Sequence, residues 1–186
     1  MKFLTHFISG ILILTYIVAC DSNNVLRTYQ DEFKGSTRYV LSQIIYPSER
    51  RSVVASTVLT YEKEILPSKS QVVNIYFVLS RGTSSIAVDR KGFLKIGEKT
   101  FDIVGKNTQT ELKRSEMTTI DSSGVATTDV SNWMNDQFKI TLSPEMIDLL
   151  QKDNLMTLRF YAGPHPITLI VGDINYKKLR GLLTKT

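Results

Sequence analysis

A mainly β fold with two late helices, arranged as an antiparallel β-sandwich or open barrel, is the architecture this sequence predicts. Three observations carry that expectation. Apolar residues recur with a period of two from Gly35 to Val104 and again from Phe138 onward. Glycine- and proline-bearing turn signals separate the runs at short intervals. Helix-start chemistry occurs late, at Ser143-Pro144-Glu145 and at Asp173.

Gly35 to Tyr46 sets Tyr39, Leu41 and Ile45 against Val40, Ile44 and Tyr46, apolar on both faces as in a strand inside a sandwich. Pro47-Ser48-Glu49-Arg50-Arg51 closes it, and the β-branched run Val53 to Tyr61 returns as a hairpin partner. Leu66-Pro67-Ser68 turns the chain again. Gln71 to Leu79 follows as the clearest strand, with Val73, Ile75, Phe77 and Leu79 on one face and Val72, Tyr76 and Val78 on the other. Short strands are expected at Ile86 to Val88, Phe93 to Ile96 and Thr100 to Val104, the last two joined by a tight turn at Gly97-Glu98. From Gly105 to Gln137 the apolar pattern thins, and Asp121 to Thr128 has almost nothing to bury. This stretch reads as a long loop, or as two edge strands joined by a mobile tip.

Phe138, Ile140 and Leu142 restore the alternation and lead into a helix capped by Ser143, with Pro144 at its first position and Glu145 favouring its positive end. Met146, Leu149 and Leu150 form its apolar face. Leu155 to Ala162 and Ile167 to Val171 read as strands connected by Gly163-Pro164-His165-Pro166. Asp173 is expected to cap a last helix carrying Ile174, Leu179, Leu182 and Leu183.

The N-terminus has a different logic. Met1-Lys2 and an apolar block from Phe7 to Val18 end at Ile17-Val18-Ala19-Cys20, and Cys20 is the only cysteine in the chain. A basic start, a short apolar stretch and a small residue before the junction describe a secretory signal. The junction resembles the lipobox of bacterial lipoproteins. That resemblance, which covers the first twenty residues, implies cleavage after residue 19 and a diacylglyceryl group on the Cys20 thiol. An exported chain with a single thiol has no internal disulfide to make with it, which agrees with lipidation. The alternative is that Phe3 to Ala19 stays on as an uncleaved membrane anchor. The resemblance implies an address in the bacterial cell envelope. Asp21 after the cysteine favours the periplasmic face of the inner membrane in envelopes of the enterobacterial type, and elsewhere the outer membrane is the other address.

The expected organisation is therefore a removed signal peptide over residues 1–19, a polar tether over 20–34 containing a short helix near Val25 to Phe33, and a single β-rich domain over 35–186. Cleavage removes Lys2 alone among Lys, Arg, Asp and Glu, leaving 22 basic and 18 acidic residues, a net charge of +4. The basic residues are scattered, which excludes a nucleic-acid arm and leaves weak attraction to anionic lipid or envelope polymer as their use.

Catalytic chemistry finds few residues to work with. After cleavage the chain keeps one histidine, His165 between two prolines. No Gly-x-Ser-x-Gly elbow accompanies it, so a triad of a serine with His165 and Asp173 lacks its nucleophile's support. Zinc has too few cysteine and histidine ligands. Asp121-Ser122-Ser123-Gly124 lacks the spaced acids of a calcium loop, and Gly105-Lys106 lacks the partner glycine of a phosphate cradle. Glu62, Glu64, Glu111 and Glu116 read as solvated acids. No enzyme activity, metal or cofactor is expected. Trp133, the only tryptophan, is a candidate anchor for a partner, although a lone tryptophan more often pins a loop to its own core; His165 is a second candidate contact. The function expected is a non-enzymatic envelope lipoprotein that contacts protein or envelope components. The alternative is a carrier or sensor of a lipid-like apolar ligand held inside the β domain.

Overall fold

The structure, a computed structural model, describes residues 24–152 and 155–186, so the cleavage junction and Cys20 lie outside the described residues. Strands β1 (Leu26–Asp31), β2 (Ser36–Ile45), β3 (Val54–Ile65), β4 (Gln71–Gly82), β7 (Lys106–Ile120) and β8 (Ala126–Thr141) form one sheet in the order β1-β2-β3-β4-β8-β7. Strands β5 (Lys91–Ile96), β6 (Lys99–Val104), β9 (Met156–Ala162) and β10 (His165–Val171) form a second in the order β10-β9-β5-β6. Every pairing is antiparallel. The first sheet curls as a half-barrel, and the β-rich antiparallel architecture expected from the alternation is the one observed.

The alternation decides which side faces in. Leu41 and Ile45 on β2, Leu59 and Tyr61 on β3, Val73 to Leu79 in steps of two on β4, and Phe138 and Ile140 on β8 are all buried. Leu94 and Ile96 on β5, Leu158 and Phe160 on β9, and Ile167, Leu169 and Val171 on β10 meet them from the second sheet. Phe77 stacks on Phe138 with centroids 4.8 Å apart, and Phe160 stands edge-on to both at 5.3 and 5.1 Å. Glycine is required where backbone approaches this cluster. A Cβ on Gly92 would come within 2.5 Å of the Arg159 carbonyl and 2.6 Å of the Phe160 ring. Gly105, the single residue between β6 and β7, lets the chain cross from one sheet to the other with a Cβ position only 2.7 Å from Phe138.

Helix α1 (Pro144–Lys152) begins as its sequence predicts: the Ser143 hydroxyl accepts the Met146 N–H at 3.3 Å and the Ser143 carbonyl accepts that of Ile147 at 3.1 Å. It buries Ile147 and Leu150, with Met146 and Leu149 partly covered. Helix α2 (Asp173–Leu183) differs from expectation at its start. Gly172 is the N-cap, no side chain caps it, and Asp173 opens the first turn, where its charge still suits the helix dipole. Ile174 is exposed; Tyr176 takes the core place and donates its hydroxyl to the Leu150 carbonyl, tying the two helices. At the other end Lys63, buried on the core side of β3, donates to the carbonyls of Leu183 and Lys185 at 2.6 Å each, a cation set on the negative end of the helix.

Other expectations need correction. The short helix near Val25 to Phe33 is the edge strand β1, because the open side of β2 supplies a ladder from Leu26–Leu41 to Asp31–Ser36. Ile86 to Val88 is not a strand: β6 and β9 occupy both sides of β5, and the Val88 and Asp89 N–H groups bond Asp136 and the Tyr161 carbonyl. The second apolar faces of β2 and β4 are not inside a sandwich; Ile44 and Tyr46 are exposed, and Val72, Tyr76 and Val78 are half-buried. The turn joining β9 and β10 is Gly163-Pro164, and His165 and Pro166 already belong to β10. That strand lies at a sheet edge, where a missing proline N–H is tolerated.

Candidate functional site

The stretch whose apolar pattern thins is a long hairpin, the second of the two arrangements expected for it. β8 pairs with β4 from Asn74–Thr141 as far as Gly82–Trp133. β7 and β8 then continue together through seven further pairs from Arg114–Asn132 to Ile120–Ala126, with no third strand beside them among the described residues. At about 3.3 Å per residue that is an arm about 23 Å long, and every residue in those seven pairs is exposed.

Its root is rigid. Asp136 on β8 receives Arg81 Nε at 2.7 Å and Nη2 at 3.2 Å, the Val88 N–H at 2.9 Å and the Thr110 hydroxyl at 2.8 Å. Arg81 Nη1 donates to the Ser85 carbonyl at 2.6 Å and to that of Gly82 at 3.5 Å. This buried pair thus binds β4, β8, β7 and the segment before β5 to one another. Burial by itself would raise the Asp136 pKa, but the bonds from Arg81, Val88 and Thr110 outweigh it and hold the carboxyl below its usual range.

The tip is organised by one side chain. Asp121 Oδ1 accepts the Ser123 N–H at 2.9 Å, the Ser123 hydroxyl at 2.6 Å and the Val125 N–H at 3.0 Å, while Gly124 supplies a φ of +81°. The Ser123 hydroxyl foremost, with the backbone N–H groups, lowers the Asp121 pKa. Along one face of the arm run Leu112, Arg114, Glu116, Thr118 and Ile120; Lys113, Ser115, Met117 and Thr119 occupy the other. Both signs of charge are interspersed with exposed Leu112, Met117, Ile120, Val125 and Val130, a surface that is neither plainly apolar nor plainly charged.

Trp133 sits at the root rather than on the arm, partly buried, between Gly82 on β4 and Lys113 on β7. His165 is exposed at the start of β10 in the other sheet. No hydrogen bond, ion pair or ring contact joins these two candidates, and they do not form one site.

A second feature escaped the sequence reading. On the outer face of the first sheet Arg38 stands 5.5 Å from the Tyr29 ring centroid and 3.6 Å from Glu62, Glu62 accepts the Tyr76 hydroxyl at 3.3 Å, and Lys139 lies 5.8 Å over the Tyr76 ring. Five strands thereby carry one polar-aromatic ladder. Burial and the neighbouring Glu62 raise the Tyr76 pKa. Register alone brings these residues together, so only the odd-even position of each within its strand could have signalled it. Beside the β1–β2 turn a cleft of about 450 Å³ is lined by Tyr29, Asp31, Phe33, Lys34, Arg38 and Glu64. Among the described residues no three metal-ligating side chains gather, and no helix is long and apolar enough to cross a membrane.

Comparison with known proteins returns no match to any family model, curated protein or solved structure.

Proposed function

We propose that the protein is a lipid-anchored module of the bacterial envelope, held on its membrane through Cys20, that acts by contact rather than catalysis and presents the β7–β8 arm to a protein or polymer of the envelope. The observation that carries this reading is the arm: seven strand pairs whose faces and edges are open among the described residues, set on a root cross-linked by the buried Arg81–Asp136 pair. A two-stranded ribbon is marginal by itself. An open edge is also a hazard for self-association, moderated here by Lys113, Arg114 and Glu116 along it. A chain that keeps such an element gains a ready set of backbone donors and acceptors for a partner strand. The buried Phe77–Phe138–Phe160 cluster, which packs the two sheets against each other, favours contact over the carrying of an apolar ligand. Trp133 at the root serves the arm by pinning it, and His165 has no part in the reading.

The test uses the full chain in a bacterial envelope. A photo-crosslinking side chain at Val130 should give an adduct with an envelope component that the same group at Glu98, in the β5–β6 turn, does not give. Intact mass of the membrane fraction should show loss of residues 1–19 and a lipid on Cys20. Absence of an arm adduct would remove the presenting role, and an unmodified Cys20 would remove the anchor.

A further inference from the structure

We infer that the N-terminal half of α2, together with Asn24 and Val25, is the face this domain lays against an anionic lipid surface. The inference rests on the reading of Cys20 as the lipid anchor and adds to it an orientation. Asn24 is fastened to the domain from four directions. Its N–H bonds the Ser42 carbonyl at 2.6 Å, its side chain donates to Asn175 Oδ1 at 3.3 Å and accepts from Gln43 Nε2 at 3.2 Å, and its carbonyl accepts Lys178 Nζ at 2.9 Å. Gln43 Nε2 also bonds the Asn175 carbonyl at 2.8 Å, closing the knot on the first turn of α2. From Cys20 to Asn24 is four residues, which can span at most about 14 Å when fully extended. A cysteine whose acyl chains lie in the bilayer therefore keeps this knot close to the headgroups.

The surface beside the knot suits that neighbour. Ile174 is 74% exposed and Val25 is 50% exposed, although α2 has a core to bury apolar residues in and buries Tyr176, Leu179, Leu182 and Leu183 there. Ile174 shares the solvent side of the helix with Lys177 and Lys178, at the three- and four-residue spacing that places side chains on one face. An apolar residue flanked by lysines is the composition of a helix face that rests in the headgroup region, the side chain of Ile174 entering the interface and the ammonium groups meeting phosphates. Asp173 is the one acid in α2 and stands at its extreme N-terminal end.

Lipidated full chain, reconstituted in vesicles of phosphatidylethanolamine and phosphatidylglycerol, tests this. The lipid occupies the Cys20 thiol, so an introduced cysteine is labelled alone. A fluorophore is placed at Ile174→Cys or, for comparison, at Thr141→Cys. Thr141 lies on the opposite face of the first sheet and four strands from β1, about 19 Å across at the usual strand spacing. Quencher attached to lipid headgroups should quench position 174 severalfold more than position 141. Lys177→Glu, which leaves the Lys178–Asn24 bond in place, should lower the equilibrium constant for apposition, read from quenching at 174, by at least about fivefold, the factor one lysine supplies at an anionic surface. Equal quenching at the two positions overturns the orientation, and a signal indifferent to Lys177→Glu overturns the assignment of anionic headgroups. Intact mass of the same sample separates the two levels. A lipidated Cys20 with equal quenching defeats this inference alone, whereas an unlipidated Cys20 defeats the anchor reading and the inference with it.

Discussion

Asp136 shows how a single acid can hold a surface element to a core. Its two oxygens accept four hydrogen bonds from three separate segments, and its side chain is 3% exposed. Removing one partner of such a pair strands the other, so Asp136→Ala should cost about 3–5 kcal/mol in urea unfolding, and the joint replacement Arg81→Met with Asp136→Leu should cost less, the stranded charge being gone while the Val88 N–H is still left unpaired. The sign of the pH effect follows from its lowered pKa. The unfolded chain takes up the proton first, so the pair contributes fully above about pH 4 and its contribution fades as pH falls through the depressed folded value. Tyr61 is the contrary case. Its hydroxyl lies wholly buried on β3 with no partner among the described residues, and burial pushes its pKa well above the usual tyrosine value. Tyr61→Phe should therefore leave stability unchanged or raise it by about 1 kcal/mol, and a fall in the urea midpoint would contradict that account. Trp133, partly exposed, should cost about 1–2 kcal/mol when cut to alanine, less than a core phenylalanine such as Phe160.

At the scale of elements, the arm and the sheets draw on different sources of stability. Core strands such as β3 and β4 bury one face and pair with a neighbour on each side. Among the described residues, the outer seven pairs of β7–β8 have only each other and the Asp121 turn. Replacing residues 114–132 by a short Asn-Gly turn should accordingly leave the midpoint of thermal unfolding within a few degrees of the parent while abolishing arm-dependent crosslinks. Amide exchange should be fast from residue 114 to 132 and slow along β4; equal protection would mean that the arm is covered in solution. This hairpin was only half legible in the sequence. Its strands have polar residues on both faces, so no period-two apolar signal marks them, and pairing alone defines them. β1 was hidden for the same reason. The Ser143 cap, in contrast, was fully legible, because a cap is a contact among residues three or four apart.

For the whole molecule, the expectation is cooperative unfolding with β-dominated circular dichroism, since both sheets share one interior through Phe77, Phe138 and Phe160. A helix-dominated spectrum would contradict the architecture. What the amino-acid sequence determined by itself were local and periodic properties: the strands that bury one face, the Gly97-Glu98 turn, and the first helix with its cap. Each depends on neighbours within a few positions, where sterics and hydrogen-bond reach are set by the chain's own geometry. Only the tertiary structure decided which apolar faces stay open, that Tyr176 rather than Ile174 enters the core, that Arg81 meets Asp136, and that Asn24 is knotted to α2. Those contacts join residues far apart in sequence, 55 positions for Arg81 and Asp136 and 151 for Asn24 and Asn175. Long-range partners are chosen by strand order and register, which arise from the competition of all the strands for the same edges and the same interior, and no window of the sequence contains that competition.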